Sequence, residues 1–337
     1  MQDTFDNVPF SAEIDRRFSP VYGQALNQMT CILPGGGCVY YRAHQGDVCP
    51  FCSFPGFSRH VVRGPGHEQD FSPWTLPAET FVEMYDRSVA AYPEFDKLAV
   101  FNGGSFFPQS ELPNALQEHI YRDVASRPNV RQLMVEAYPT FITEAKLHQA
   151  KSLLGDVELM VGIGFESQND FIRNTLLKKR IDKELFESKV RLMQDLGVQV
   201  FVYAFLKAPG LTERQSLDEA LRTCAYLHDL GVDEIALSCA FVPPGSPLEG
   251  MYREGKFSPP WLWSILAIQE EAEKRGWPLS IGGFEDVPPP VAGPANCDRC
   301  TDDVLGLLDR ARLAGKAPAD APQCGCKGRW RKLVGEV

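Results

Sequence analysis

The sequence predicts an α/β protein, a partial or closed (β/α) barrel with a cysteine-rich C-terminal extension. Short runs that are apolar throughout alternate with helix-patterned segments. Near residue 287 the texture changes to a stretch with little core-forming pattern that holds four of the ten cysteines. Continuous rather than alternating hydrophobicity is what a parallel strand covered on both faces requires. Strands that alternate with helices in this way build βα units, and six of them suggest a barrel.

The elements follow in order. "MTCIL" (29–33) is the first predicted strand, after an N-terminal extension over residues 1–28. "KLAVFN" (97–102), "QLMVEAY" (132–138), "VELMVGIGF" (157–165), "VQVFVYAFL" (198–206) and "DEIALSCAFV" (233–242) are the next five. Between them lie helical patterns such as "TEAKLHQAKSLL", "KELFESKVRLMQDLG" and "TERQSLDEALRTCAYLHDLG". Two of these end in Leu-Gly, a helix stop before the next strand. "FSPPWLWSILAIQEEAEKRG" (257–276) predicts a further helix, and "LSIGGFED" a short strand-like piece. The barrel domain is therefore expected over 29–286 and the extension over 287–337.

With 337 residues the chain can bury a sizeable core. Its net charge of −10 speaks mildly against a broad nucleic-acid footprint. The start "MQDTFDNVPF" has no basic segment followed by an apolar run, so no secretory leader is expected. No apolar stretch approaches the ~18 residues of a membrane span. Ten cysteines without a leader predict a reducing, cytoplasmic setting, where clustered thiols are more often metal ligands than disulfides.

The first βα loop, "GGGCVYYRAHQGDVCPFCSFPGF" (35–57), carries Cys38, Cys49 and Cys52. A closed zinc site would recruit a fourth thiol, and the nearby Cys31 lies inside an apolar strand. An electron-transfer ferredoxin would also use four cysteines per cluster. A 4Fe-4S cluster on three cysteines leaves one iron open to a small ligand, and an open position marks a catalytic site. Arg42 and His44 lie inside the long cysteine gap, where a loop histidine is expected to be exposed rather than a ligand. Arg173 and Lys179 could meet a carboxylate, but a solvated helix face is the first expectation for both. Cys224 and Cys239 read as core.

On these cysteines the sequence resembles the radical S-adenosylmethionine (SAM) superfamily. The usual spacing there is C-x3-C-x2-C. The first gap of ten matches the branch that includes the radical subunit of archaeosine synthase and the Elongator catalytic subunit. Further motifs resemble that branch over about residues 29 to 250: "FNGGSFFP", "VEAYPTFIT", "VGIGFESQNDFIRNTLLKKR" and "VPPGSPLE". The resemblance implies a barrel of the radical SAM type, with Cys38, Cys49 and Cys52 as cluster ligands. It implies that the open iron takes the amino and carboxylate groups of SAM, with Phe51 or Phe54 beside the adenine. Gly103 and Gly104 would admit the ligand close to the backbone. Ser105 stands where many members carry an acid. Glu136, Glu166 and Ser167 complete the implied SAM or substrate contacts.

In the extension, Cys297 and Cys300 form C-x2-C, and Cys324 and Cys326 form C-x-C. A structural zinc is the first expectation for these four, an auxiliary iron–sulfur cluster the second, and thiols reserved for a thiophilic substrate the third. This tail also resembles that of the archaeosine-synthase radical subunits.

The resemblance implies reductive cleavage of SAM, fed by an external donor of the flavodoxin or ferredoxin type. A small-molecule substrate is expected ahead of tRNA because the chain is acidic. One candidate is transfer of the 3-amino-3-carboxypropyl group of SAM to arsenite, as in the radical SAM step of arsinothricin biosynthesis. The alternatives are 5′-deoxyadenosyl radical modification of a tRNA base, as for archaeosine, and a non-catalytic iron–sulfur electron carrier.

Overall fold

The computed structural model describes residues 11–52, 54, 58, 62–64, 66–67, 70–73, 76–283, 289–318 and 320–335. Eight strands form one sheet in sequential order: β1 (Ser11–Ser19), β2 (Gln24–Ile32), β3 (Lys97–Phe101), β4 (Gln132–Glu136), β5 (Glu158–Glu166), β6 (Gln199–Leu206), β7 (Glu234–Cys239) and β8 (Leu279–Ile281). From β2 onward every pairing is parallel, as continuous apolar runs require. The sheet curls into a nearly closed barrel whose end strands, β1 and β8, do not pair among the described residues, which makes the barrel partial.

One boundary differs from the sequence expectation. The sheet starts before residue 29, because β1 pairs antiparallel with β2 along the full length of both strands. The expected boundary at 286/287 falls outside the described residues.

Ten α-helices have defined ranges among the described residues, and the long ones, unlike the short helix of the cysteine loop, pack on the outside of the sheet. The ten are α1 (Val39–Ala43), α2 (Ala78–Ala91), α3 (Asn114–Ser126), α4 (Glu144–Leu154), α5 (Lys183–Asp195), α6 (Glu213–Asp229), α7 (Pro247–Arg253), α8 (Leu262–Arg275), α9 (Thr301–Ala314) and α10 (Gly325–Val334). Their starts are chemical: Thr143 and Asp182 accept backbone N–H groups, and Thr212 with Gln215 forms a capping box. Gly197 and Gly231, of the two Leu-Gly pairs, adopt left-handed φ of 62° and 75° where α5 and α6 end. The main core lies between sheet and helices, while Ala99, Met134, Met160, Phe201 and Ala236 form a layer inside the barrel. The extension is better cored than expected. Val304, Leu308, Trp330 and Val334 join the main core instead of forming one of their own. No described helix is long and apolar enough to cross a membrane.

Candidate active site

The three loop cysteines gather at the carboxyl end of the strands. Cys38 precedes α1 and its Sγ accepts the Tyr41 N–H at 3.4 Å. The ten-residue gap is filled by α1 and a turn, and two anchors hold it. Arg42 donates to the Gly36 and Gly37 carbonyls, and Asp47 pairs with Lys178 and Arg180 beyond β5. Burial pushes the Cys38 thiol up to about 12, with the Glu111 carboxylate adding to it, and burial raises Cys49 and Cys52 as well. Thiols this reluctant to ionise alone need a cation to hold them as thiolates. Cys31 is fully buried on β2 in the main core, as its apolar run predicted.

A cavity of 560 Å³ runs from these thiols into the barrel. Phe51, Phe54, Gly103, Gly104, Ser105, Glu136 and Glu166 all line it. Phe51 packs on Phe205 with ring centroids 4.5 Å apart. Ser167 does not line it: its hydroxyl donates to Glu219 at 2.6 Å and the residue is buried behind β5. The Ser105 hydroxyl accepts the Tyr138 N–H at 3.0 Å, so it holds the loop after β4.

Two features make room at the strand ends. Gly162 lies opposite Glu136, and a Cβ there would come within 3.3 Å of the Glu136 side chain. At the end of β5 the register shifts between Ile163 and Glu166, and Glu166 takes a left-handed φ of 71°. Such a bulge re-aims a side chain, and a strained non-glycine residue at a cavity is a functional signal. Glu166 is buried and receives Lys179 Nζ on Oε1 at 3.2 Å, while its Oε2 has no hydrogen-bond partner.

Lys179 and Arg173 overturn the expectation of a solvated helix face. A π-helical turn (Ile172–Leu176) carries Arg173 inward until it is 1% exposed. There it donates to the Ser167 and Ile181 carbonyls, both at 2.9 Å, and stacks 4.5 Å from the Phe165 ring. Lys179 lines the cavity 5.8 Å from the Phe51 ring. Burial pulls its pKa down, but Cys49 and Glu166 more than offset this and hold it charged.

Glu111 was absent from the sequence reading. It is 1% exposed, and its two oxygens accept the Val39 and Ser105 N–H groups, tying the cysteine loop to the glycine loop. Burial lifts its carboxyl to about 7 despite both hydrogen bonds. Tyr203 was also missed; its hydroxyl donates to Glu136 inside the barrel.

Burial likewise pushes Glu136 up to about 7 from an ordinary 4.5. The folded chain therefore holds this proton more tightly than the unfolded chain does. The resulting stabilisation is complete below about 4.5 and is lost as pH rises through about 7. For the metal-free chain, urea midpoints measured across that window should fall with rising pH, and Glu136→Gln should flatten part of the fall.

The donor set and the cavity fit an iron–sulfur cluster with SAM. Three half-buried thiols face a chamber where glycines leave the backbone bare and Glu166 presents an unpartnered buried oxygen. The four extension cysteines form a separate group, their sulfurs all within 4.8 Å of one another.

The partial (β/α) barrel with three cysteines at its mouth has the fold of a solved radical SAM methyltransferase, and this likeness defines the architecture. No protein-family model matches it. It is 26% identical over 318 residues to archaeosine synthase subunit beta of Methanosarcina acetivorans, a match covering 93% of this chain and 87% of that relative. Among solved structures, a radical SAM methyltransferase from Sphaerobacter thermophilus superposes with a TM-score of 0.52 and 15% identity, covering 85% of this chain and 82% of that one. An archaeal Elp3 from Methanocaldococcus infernus gives 0.49 at 16% identity over 70% of this chain, which spans 59% of that structure's length.

Proposed function

We propose that this chain is a radical SAM enzyme and that it acts on a modified base in tRNA, the substrate class to which its archaeosine synthase relative points. The observation that carries this reading is a match running nearly end to end in both chains. It reverses the order of preference drawn from charge alone. Net charge describes the whole surface, whereas the site is a chamber whose wall mixes acids such as Glu136 and Glu166 with cations such as Lys97 and Lys179, and it can take one flipped base.

Cys38, Cys49 and Cys52 would hold the cluster. With SAM bound, that group would supply one-electron cleavage of the sulfonium and a 5′-deoxyadenosyl radical. Lys179 and Glu166 offer a cation and a spare carboxylate oxygen side by side, a matched pair for the zwitterionic end of SAM. Gly103 and Gly104 admit the ligand to the backbone, Phe51 and Phe54 supply an apolar wall, and Glu111 keeps the two loops in register. Glu136 and Tyr203 face the deeper chamber, where a substrate would be oriented. The reductant would come from outside, from a flavodoxin or ferredoxin type of donor.

Aminocarboxypropyl transfer to arsenite drew on the thiols of the extension, which form a group separate from the three at the barrel mouth where SAM would be cleaved. An electron carrier would need no such chamber. Anaerobic reconstitution with reductant, SAM and unmodified or precursor tRNA tests the proposal. Formation of 5′-deoxyadenosine that depends on tRNA is the expected result. Methylthioadenosine that depends on arsenite, or no cleavage at all, would overturn it.

A further inference from the structure

The extension's thiols have a geometry that selects among their possible occupants. Cys297 and Cys300 lie 3.7 Å apart through their sulfurs, Cys297 and Cys324 3.5 Å, and Cys300 and Cys326 3.5 Å. All four fall within 4.8 Å of one another. Four sulfurs placed about 2.3 Å from one tetrahedral ion stand about 3.8 Å apart. A binuclear cluster would split the sulfurs into two close pairs held apart by the bridging sulfides. Here the contacts between the two motifs are as short as the contact within C-x2-C. A cubane would seat each sulfur on its own iron and spread them further still.

We propose that Cys297, Cys300, Cys324 and Cys326 bind a single tetrahedral zinc ion, which anchors α9 across the open seam between β1 and β8. Zinc is preferred over ferrous iron on such donors by its greater affinity, and a closed four-thiolate shell leaves no position for substrate. The surroundings complete the site. Trp263 of α8, itself buried, donates its indole N–H to Cys326 Sγ at 3.2 Å. Such a bond to a ligand sulfur is the usual second layer of a structural metal site. Cys300 immediately precedes α9, and Cys324 precedes α10, so both helices direct their amino ends at the thiolates.

From that anchor α9 runs along the seam. Near its far end Arg312 donates to the Gly282 carbonyl just after β8, and Gly315, ending the helix, packs on Phe18 of β1. The helix thus bridges the two unpaired edges and lines the cavity with Ala311, Arg312 and Gly315. Among the described residues the ties between the amino end of α9 and α10 run through these sulfurs, so a shared ion would couple the two helices.

The test uses the full chain carrying C38A, C49A and C52A together, purified anaerobically. A single zinc per chain and no iron is the expected analysis. Iron with inorganic sulfide, iron without sulfide, or no metal with four titratable thiols would each overturn the assignment. Should that variant fail to fold, zinc-edge X-ray absorption of the wild-type protein decides, with four sulfur neighbours at about 2.3 Å expected and any nitrogen or oxygen neighbour refuting. For the anchoring role, C300S should lose the zinc, and hydrogen exchange should speed up along 301–314 and 279–283 while β4 to β6 keep their protection. Unchanged protection of α9 after loss of zinc would refute it.

Discussion

Alanine at Cys38, Cys49 or Cys52, one at a time, is expected to remove the iron of the first loop and bring SAM cleavage to background. That is a loss of about 1000-fold or more, or about 4 kcal/mol of barrier. The measurement pairs iron and sulfide content with 5′-deoxyadenosine formation. The size of the effect follows from the absence of a substitute. Cys31 is locked in the core on β2, and Cys224 and Cys239 are buried elsewhere in that core. Glu111 is already held by two backbone N–H groups. Burial raises all three loop thiols, so each is held as a thiolate only by the cation that the three share, and two ligands hold that cation less firmly than three. The extension's zinc should be unaffected, since its four sulfurs form a separate group. A variant that kept both cluster and cleavage would mean that the three-thiol assignment is wrong.

What the sequence made legible was the chemistry that stays local. Cys49 and Cys52 lie three residues apart, and the glycine pair sits directly after its strand, so pattern alone located both. The parallel strands were legible for the same reason, each being a short run buried on both faces. β1 was not: "SAEIDRRFS" mixes charges into an edge strand that reaches the seam, and no run of hydrophobicity marks it. Glu111 could not be found by spacing, because its partner Val39 is 72 residues away and only the fold brings them together. Arg173 and Lys179 were misjudged because a regular helix was assumed after β5. The π-helical turn and the left-handed backbone at Lys178 and Arg180 turn them inward. The extension looked poorly cored because its apolar side chains are few, and they pack on the main core supplied by other elements.

Gly104→Ala is expected to disable the site by a steric route that leaves every ligand side chain in place. A Cβ at this position would overlap Glu111 Oε2 and come within 3.1 Å of the Cys38 Cα. The backbone cannot retreat, because Cys38 begins α1 and Ser105 is held to Glu111 and Tyr138. Glu111 must therefore leave, and the Val39 and Ser105 N–H groups lose their acceptor in a buried place. Two such losses cost about 2–6 kcal/mol, read as a lower urea midpoint of the metal-free chain, and the cluster loop loses its register with the glycine loop. Iron loading should fall with it. The double variant Gly104→Ala/Glu111→Ala separates collision from any generic harm to the loop. Once the carboxylate is gone the methyl group has space, so Gly104→Ala should add little on the Glu111→Ala background. A coupling of about 2 kcal/mol between the two positions is the expected reading of the cycle. Strictly additive costs would show that the carboxylate and the glycine do not meet, and Glu111 would then have no part in holding the two loops together.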